Sequence, residues 1–272
     1  MEKEELIFIA GPCAVESEKK LLDIARELKN IGVTHLRGGA FKPRTSPDSF
    51  QGLGEKGLKY LHTVKKKTGL KIVSEILDIG HANLFKKYKI DILQIGARNM
   101  DNYELLKGIA NKFSDTPVLL KRGFHAKKKE FIGAINYLRR YGHNAEIIAC
   151  ERGIRSFSNG DYDRFTLDVS FISDLKKDKT FNYRVFVDPS HAAGRADIVE
   201  NLAYSGVSCG ADGLIIEVKK EACDTPLCDS NQAITIKKLR EIVDNCKKIR
   251  SVLSEKDNEI KVKGGKNEIF FR

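Results

Sequence analysis

The chain has 272 residues, 41% apolar and 31% charged, enough to bury one large core or two ordinary ones. No apolar run approaches a membrane span, and MEKEELIFIAG is too short and acidic for a signal peptide, so a cytoplasmic protein with no membrane partner is expected. The net charge of +11 raises nucleic acid as a partner, but the lysines are interleaved with glutamates on helical faces and no aromatic-basic array accompanies them, so no nucleic-acid partner is expected.

The first β-branched run, IFIAG (7–11), enters a Gly-Pro-Cys turn. The six cysteines include no CxxC pair and read as reduced, small apolar residues, with Cys13 set apart by its place at a strand end. SEKKLLDIARELKNIG is an amphipathic helix closing at Gly32. The second run, HLRGG (35–39), opens the stretch HLRGGAFKPRTSP. There Pro43 and Pro47 forbid a helix interior, and Arg37, Lys42 and Arg44 concentrate charge for an anion. Six more runs follow: KIVSE (71–75), ILQIGA (92–97), PVLLKR (117–122), EIIACER (146–152), RVFVDP (184–189) and GLIIEV (213–218). Helical periodicity in EFIGAINYLRRYG, ADIVENLAYSGVSCG and ITIKKLREIVDNCKKIRSVL lies between or after them.

Runs apolar on both faces and separated by helices predict a buried parallel sheet with right-handed crossovers. Eight such units in roughly 250 residues fit an α/β fold, a closed (β/α)8 TIM barrel in a single domain. An open dinucleotide-binding sheet is disfavoured because no GxGxxG follows the first strand. The barrel is expected over residues 1–254. Residues 255–272 form a C-terminal extension whose NEIKVKGGKNEIFFR reads as a β-hairpin around Gly264 and Gly265.

Active sites of this fold lie at the C-terminal ends of the strands. Those ends carry Cys13, Arg37, Glu75, Arg98, Lys121, Arg152, His191 and Glu217, which marks the chain as an enzyme. Cys13, His191, Glu217 and a late aspartate supply the thiolate, imidazole and carboxylates that bind a divalent metal ion, with Mn, Fe, Zn and Co all open. Arg37, Lys42, Arg44, Arg98, Lys121 and Arg152 exceed what nearby acids neutralise. They call for one or two substrates bearing several negative charges.

GPCAVES, LRGGAFKPRTSPDSFQGLG, IVSEILD, DILQIGARNMDNYELLK, PVLLKRGF, IIACERGIRSF, TLDVS, VFVDPSHAAGRAD and the ADGLIIEV…CDSNQAI tail closely resemble the 3-deoxy-D-arabino-heptulosonate-7-phosphate (DAHP) synthases. The resemblance is to their short type I beta branch and runs in order over about residues 7–250. It implies an aldol-like condensation of phosphoenolpyruvate with erythrose 4-phosphate and water, releasing phosphate, at the entry to the shikimate pathway of aromatic amino-acid biosynthesis. By matching motifs it implies Cys13, His191, Glu217 and Asp229 as metal ligands, and Arg98, Lys121 and Arg152 as the phosphoenolpyruvate cradle, with Arg37 and Lys42 beside it. The Lys42-Pro43-Arg44-Thr45 loop is implied to receive erythrose 4-phosphate. Lys42, Glu75 and His191 are the catalytic candidates. Glu75 is read either as positioning the attacking water or as neutralising a strand-end cation.

Two features depart from the pattern. Glu217-Val218-Lys219-Lys220 stands where the family usually has Glu-Val-His-Pro, and the longer EACDTPLCDS loop makes Asp224 a competitor of Asp229. The sibling 3-deoxy-D-manno-octulosonate-8-phosphate synthases, which take arabinose 5-phosphate, carry Lys-Ala-Asn-Arg-Ser where this chain has Lys-Pro-Arg-Thr. With six residues before the first strand, no fused N-terminal regulatory domain is expected. Assembly into a homo-oligomer, dimer or tetramer, is expected as well.

Overall fold

The computed structural model describes residues 5–44, 46–157, 159–220 and 231–264, with the side chains of the last helix described as far as 254. The eight apolar runs form β1 (Ile7–Gly11), β2 (His35–Arg37), β3 (Lys71–Glu75), β4 (Ile92–Ile95), β5 (Val118–Lys121), β6 (Ile147–Glu151), β7 (Arg184–Val187) and β8 (Gly213–Lys219). Each is parallel to its successor, and β1 pairs with β8 from Ile7↔Gly213 to Gly11↔Glu217, which closes the ring. The two-residue period of a strand divides its side chains between two cores. Ile9, Val73, Ile92, Leu119, Ile148, Phe186 and Ile215 fill the lumen. Phe8, Ala10, Leu36, Ile72, Leu93 and Leu214 face outward into the layer between sheet and helices. Both faces are dry, so both had to be apolar.

The helices are α1 (Glu18–Asn30), α2 (Glu55–Thr68), α3 (Ala82–Lys87), α4 (Tyr103–Lys112), α5 (Lys128–Arg140), α6 (Val169–Lys177), α7 (Pro189–Ala193), α8 (Val199–Ser208) and α9 (Ile236–Gly264). Ser17 caps α1 by accepting from Lys20 N at 3.2 Å, and Leu21, Ile24, Ala25 and Leu28 form its buried stripe. No helix among the described residues is long and apolar enough to cross a membrane.

Two expectations about the C-terminal third change. Ile234 and Thr235, read from periodicity as the start of a helix, form a ninth strand, β9 (Ile234–Thr235), outside the ring. It extends the end of β8 through Val218↔Ile234 and Lys219↔Thr235. The segment expected as the first strand of a terminal hairpin is helical, because α9 continues to Gly264. The alternation of Ile260 and Val262 that suggested a strand is outweighed by a run of Lys, Glu, Asp and Asn that extends a helix already nucleated and packed on α8. Residues 265–272, the rest of that expected hairpin, lie outside the described residues.

Candidate active site

At the C-terminal mouth of the barrel, buried charges from four strand ends form one connected chain. Arg37, the last residue of β2, donates through Nη1 to Glu217 of β8. Glu217 also accepts from Gln232 Nε2 at 2.7 Å, and its backbone N–H donates to Ser190 Oγ at 3.0 Å. The oxygen that accepts from Arg37, Oε1, also lies 3.3 Å from His191 Nε2. His191 Nδ1 is 2.7 Å from Asp188 Oδ2, and the same carboxylate oxygen accepts from Lys121 Nζ at 2.5 Å. The sequence Asp188-Pro189-Ser190-His191 explains this placement. Asp188 is the N-cap of α7 and accepts from His191 N at 3.0 Å, while Pro189 begins the helix with its φ already helical.

Burial decides the charge states. It would raise the Glu217 carboxyl, but the cations Arg37 and Lys42 hold it well below the usual carboxylate range. Burial would likewise raise Asp188, which His191 and Lys121 hold well down. Burial pushes His191 below its ordinary 6.5, leaving a neutral ring near neutral pH. Lys42 is 7% exposed, and Cys13, Glu217 and Glu75 outweigh its burial and raise it above the ordinary lysine value. It is therefore a permanent ammonium, a hydrogen-bond donor rather than a base.

The metal candidates converge in part. Two ligands about 2.1 Å from one ion at a tetrahedral angle stand about 3.4 Å apart. His191 Nε2 and Glu217 Oε1, at 3.3 Å, have that separation, and the neutral imidazole offers its lone pair. This donor pair fits a divalent cation. Cys13 is buried close by, its carbonyl 3.4 Å from both Arg37 Nη2 and Lys42 Nζ, but the described residues contain no cluster of three His, Cys, Asp or Glu side chains around one point. Asp229 and its competitor Asp224 lie outside the described residues, as does Thr45.

The cation candidates do share one cavity. Arg37, Lys42, Pro43, Arg44, Arg98, Lys121 and Arg152 line it, together with Glu75 and His191. Arg152 is buried and donates to the carbonyls of His191 (3.2 Å) and Gly153 (3.4 Å), whereas Arg98 stands exposed at the rim. Glu75 accepts from Gln94 Nε2 at 3.3 Å and makes no ion pair among the described residues. Its place depends on Gly96, where a Cβ would fall 1.9 Å from Glu75 Oε1.

The sequence reading missed Asp188, Gln232, Arg164 and the two ring residues Phe124 and Phe165 that also face the cavity. Asp188 had a legible signal, an acid directly before Pro-Ser-His. Arg164 and Phe165 sit in the connection between β6 and α6, where no strand-end position draws attention to them.

A parallel eight-stranded barrel whose C-terminal mouth gathers cations around a buried histidine–glutamate pair defines an enzyme that acts on small polyanions. The comparisons narrow that class. The DAHP synthetase I family profile matches residues 2–255, and the chain belongs to this family. It is 44% identical over 253 residues to phospho-2-dehydro-3-deoxyheptonate aldolase of Thermotoga maritima, covering 92% of this chain and 72% of that protein. The crystal structure of a Thermotoga maritima protein of that name, also called DAHP synthase, superposes with a TM-score of 0.85 at 42% identity, over 92% of this chain and 71% of that one. A 2-dehydro-3-deoxyphosphooctonate aldolase of Desulfatibacillum aliphaticivorans is 30% identical over 272 residues, covering 92% of this chain and 93% of that protein.

Proposed function

We propose that the chain condenses phosphoenolpyruvate with erythrose 4-phosphate and water to give DAHP and phosphate. The observation that carries this reading is the single cavity in which Arg37, Lys42, Arg44, Arg98, Lys121 and Arg152 surround His191. Two phosphorylated substrates repel one another, and only a surplus of fixed cations offsets that repulsion at reacting distance.

In this reading Arg98, Lys121 and Arg152 hold phosphoenolpyruvate, with Arg37 beside it, while Pro43, Arg44 and Thr45 receive the sugar phosphate. C3 of the enol attacks the aldehyde carbon, and Lys42, always protonated, donates a hydrogen bond to the oxygen on which charge develops. Water then adds at C2 as that carbon becomes electron-poor, and phosphate departs with its C–O bond broken. Glu75, facing the cavity without an ion-pair partner among the described residues, orients that water. His191, Glu217, Cys13 and Asp229 would hold a divalent cation, which as a Lewis acid supplies polarisation of the aldehyde oxygen.

The Lys-Pro-Arg-Thr loop favours the four-carbon acceptor, because Pro43 fixes φ and keeps Arg44 from withdrawing for a longer chain. A phosphate-release assay with erythrose 4-phosphate and, separately, arabinose 5-phosphate, before and after chelation, tests the whole reading. Turnover of arabinose 5-phosphate alone would transfer the chain to the sibling activity. A cytoplasmic setting and a homo-oligomeric assembly belong to the same proposal, the latter read out by sedimentation.

A further inference from the structure

Three of the buried cations near the site have a protein carboxylate: Arg37 has Glu217, Lys121 has Asp188, and Arg122 has Glu151 and Asp168. Arg152 does not. It is 4% exposed, yet among the described residues its guanidinium donates only to two carbonyls, at 3.2 and 3.4 Å. A charge taken out of water without a counter-charge is unfavourable, so something else must stabilise it. Two phenyl rings do. Phe124 and Phe165 stack with centroids 4.9 Å apart and planes within 7°. The Arg152 guanidinium carbon lies 4.1 Å from the Phe165 centroid and 4.9 Å from that of Phe124. Ring faces carry negative potential and attract a cation, but they do not occupy its N–H donors as a carboxylate would.

The backbone holds Phe165 at this position. Phe165 N donates to Ala192 O at 2.9 Å, and its neighbour Thr166 exchanges hydrogen bonds with Ile154 at 2.9 and 3.0 Å. Gly153 makes room, since a Cβ there would meet Phe165 Cβ at 2.7 Å. The same ring pair draws in Arg98, 5.4 Å from Phe124, and Arg164, 5.8 Å from Phe165.

We propose that the stacked Phe124–Phe165 pair is a positioning element that holds Arg152 in place without a protein anion, so that its fork is kept for an oxyanion of the substrate. The assignment of that oxyanion to phosphoenolpyruvate rests on the function proposed above. Burial also lowers the Arg152 pKa from 12.5 to about 10, with Asp188 and Glu151 offsetting it only in part, which still leaves it charged near neutral pH and indicates a site that gains from a bound anion.

The test compares wild type with Phe165→Leu, which keeps apolar bulk but loses the ring face, and with Phe165→Tyr, which keeps the face. Phe124→Leu is the second variant should Phe165→Leu not fold. Calorimetric binding of phosphoenolpyruvate and of inorganic phosphate is measured alongside steady-state kinetics. The proposal expects the leucine variant to bind phosphoenolpyruvate about tenfold more weakly. Its KM for that substrate should rise in step, while KM for erythrose 4-phosphate and kcat stay within about twofold and tyrosine restores the wild-type values. Unchanged affinity for both anions in a folded leucine variant overturns the proposal, as does equal loss with tyrosine and leucine. A wild type that binds inorganic phosphate but neither binds nor consumes phosphoenolpyruvate overturns the proposed function instead. The phosphate affinities of the same variants then decide the ring pair on their own.

Discussion

Asp188 and Lys121 form an ion pair at 2.5 Å in which both side chains are withdrawn from solvent, at 0% and 4% exposure. The pair joins the anion cradle to the proposed metal site, because the same carboxylate oxygen reaches the ring of His191 at 2.7 Å. Breaking a buried pair leaves an uncompensated charge, so Asp188→Asn should cost about 3–5 kcal/mol of stability. It should also weaken phosphoenolpyruvate binding through a misplaced Lys121. Urea denaturation and KM for each substrate check this, and a variant as stable as wild type would show that the pair is dispensable.

Metal removal should abolish turnover, and any of Mn, Fe, Zn or Co that restores it identifies a competent ion. Cys13→Ala should leave the melting temperature of the metal-free protein near wild type while weakening metal binding at least about tenfold, as loss of a ligand does. Titration of the apoprotein with metal ion, read by calorimetry, measures it. Equal affinity in both proteins would remove Cys13 from the ligand set.

Arg44 lines the cavity beside Pro43, on the loop assigned to the sugar phosphate. Truncating one partner of a buried charge pair costs about 2–5 kcal/mol. Arg44→Ala should accordingly raise KM for erythrose 4-phosphate at least about tenfold and leave KM for phosphoenolpyruvate nearly unchanged. Parallel losses for both substrates would mean that the loop shapes the whole cavity.

Gly96→Ala tests Glu75 without touching its charge. The added methyl would fall 1.9 Å from Glu75 Oε1, so the carboxylate must move. If Glu75 orients water, kcat should fall about a hundredfold with both KM values little altered. A variant with wild-type kcat would return Glu75 to a structural role.

His35, on β2 at the opposite end of the barrel from the site, carries a pH signature of the fold. Burial, reinforced by Lys71, lowers its pKa from 6.5 to about 4, so the folded protein holds the ring neutral. The unfolded chain binds a proton below pH 6.5 that the folded chain refuses until about pH 4. The stability contributed by the neutral ring is therefore fully present above pH 6.5 and is lost as pH falls between those values, by about 3 kcal/mol at most. His35→Gln should lose less stability than wild type on going from pH 7 to pH 4.5 in denaturant titrations. Identical losses would place the acid sensitivity elsewhere.

Much of this protein is written locally. The strands Ile7–Gly11 and Lys71–Glu75 have the bounds their apolar runs predict, because a strand dry on both faces needs an unbroken run and Gly-Pro or a polar turn ends it. The barrel follows from counting such units, and the cations at strand ends were legible because in this fold that position alone gives access to the mouth. What the sequence leaves open is pairing over long separations. Arg37 and Glu217 are 180 residues apart, and nothing near either one says that they meet. They do so because closure of β1 on β8 leaves a single strand, β1, between β2 and β8, so their ends meet across the mouth. The same holds for Lys121 with Asp188, at the ends of strands separated by β6, and for Phe124 with Phe165, which lie on the connections after β5 and β6. The terminal segment shows the converse. Alternating Ile260 and Val262 suggested a strand, but a strand needs a partner edge, whereas a helix satisfies its own backbone as it extends.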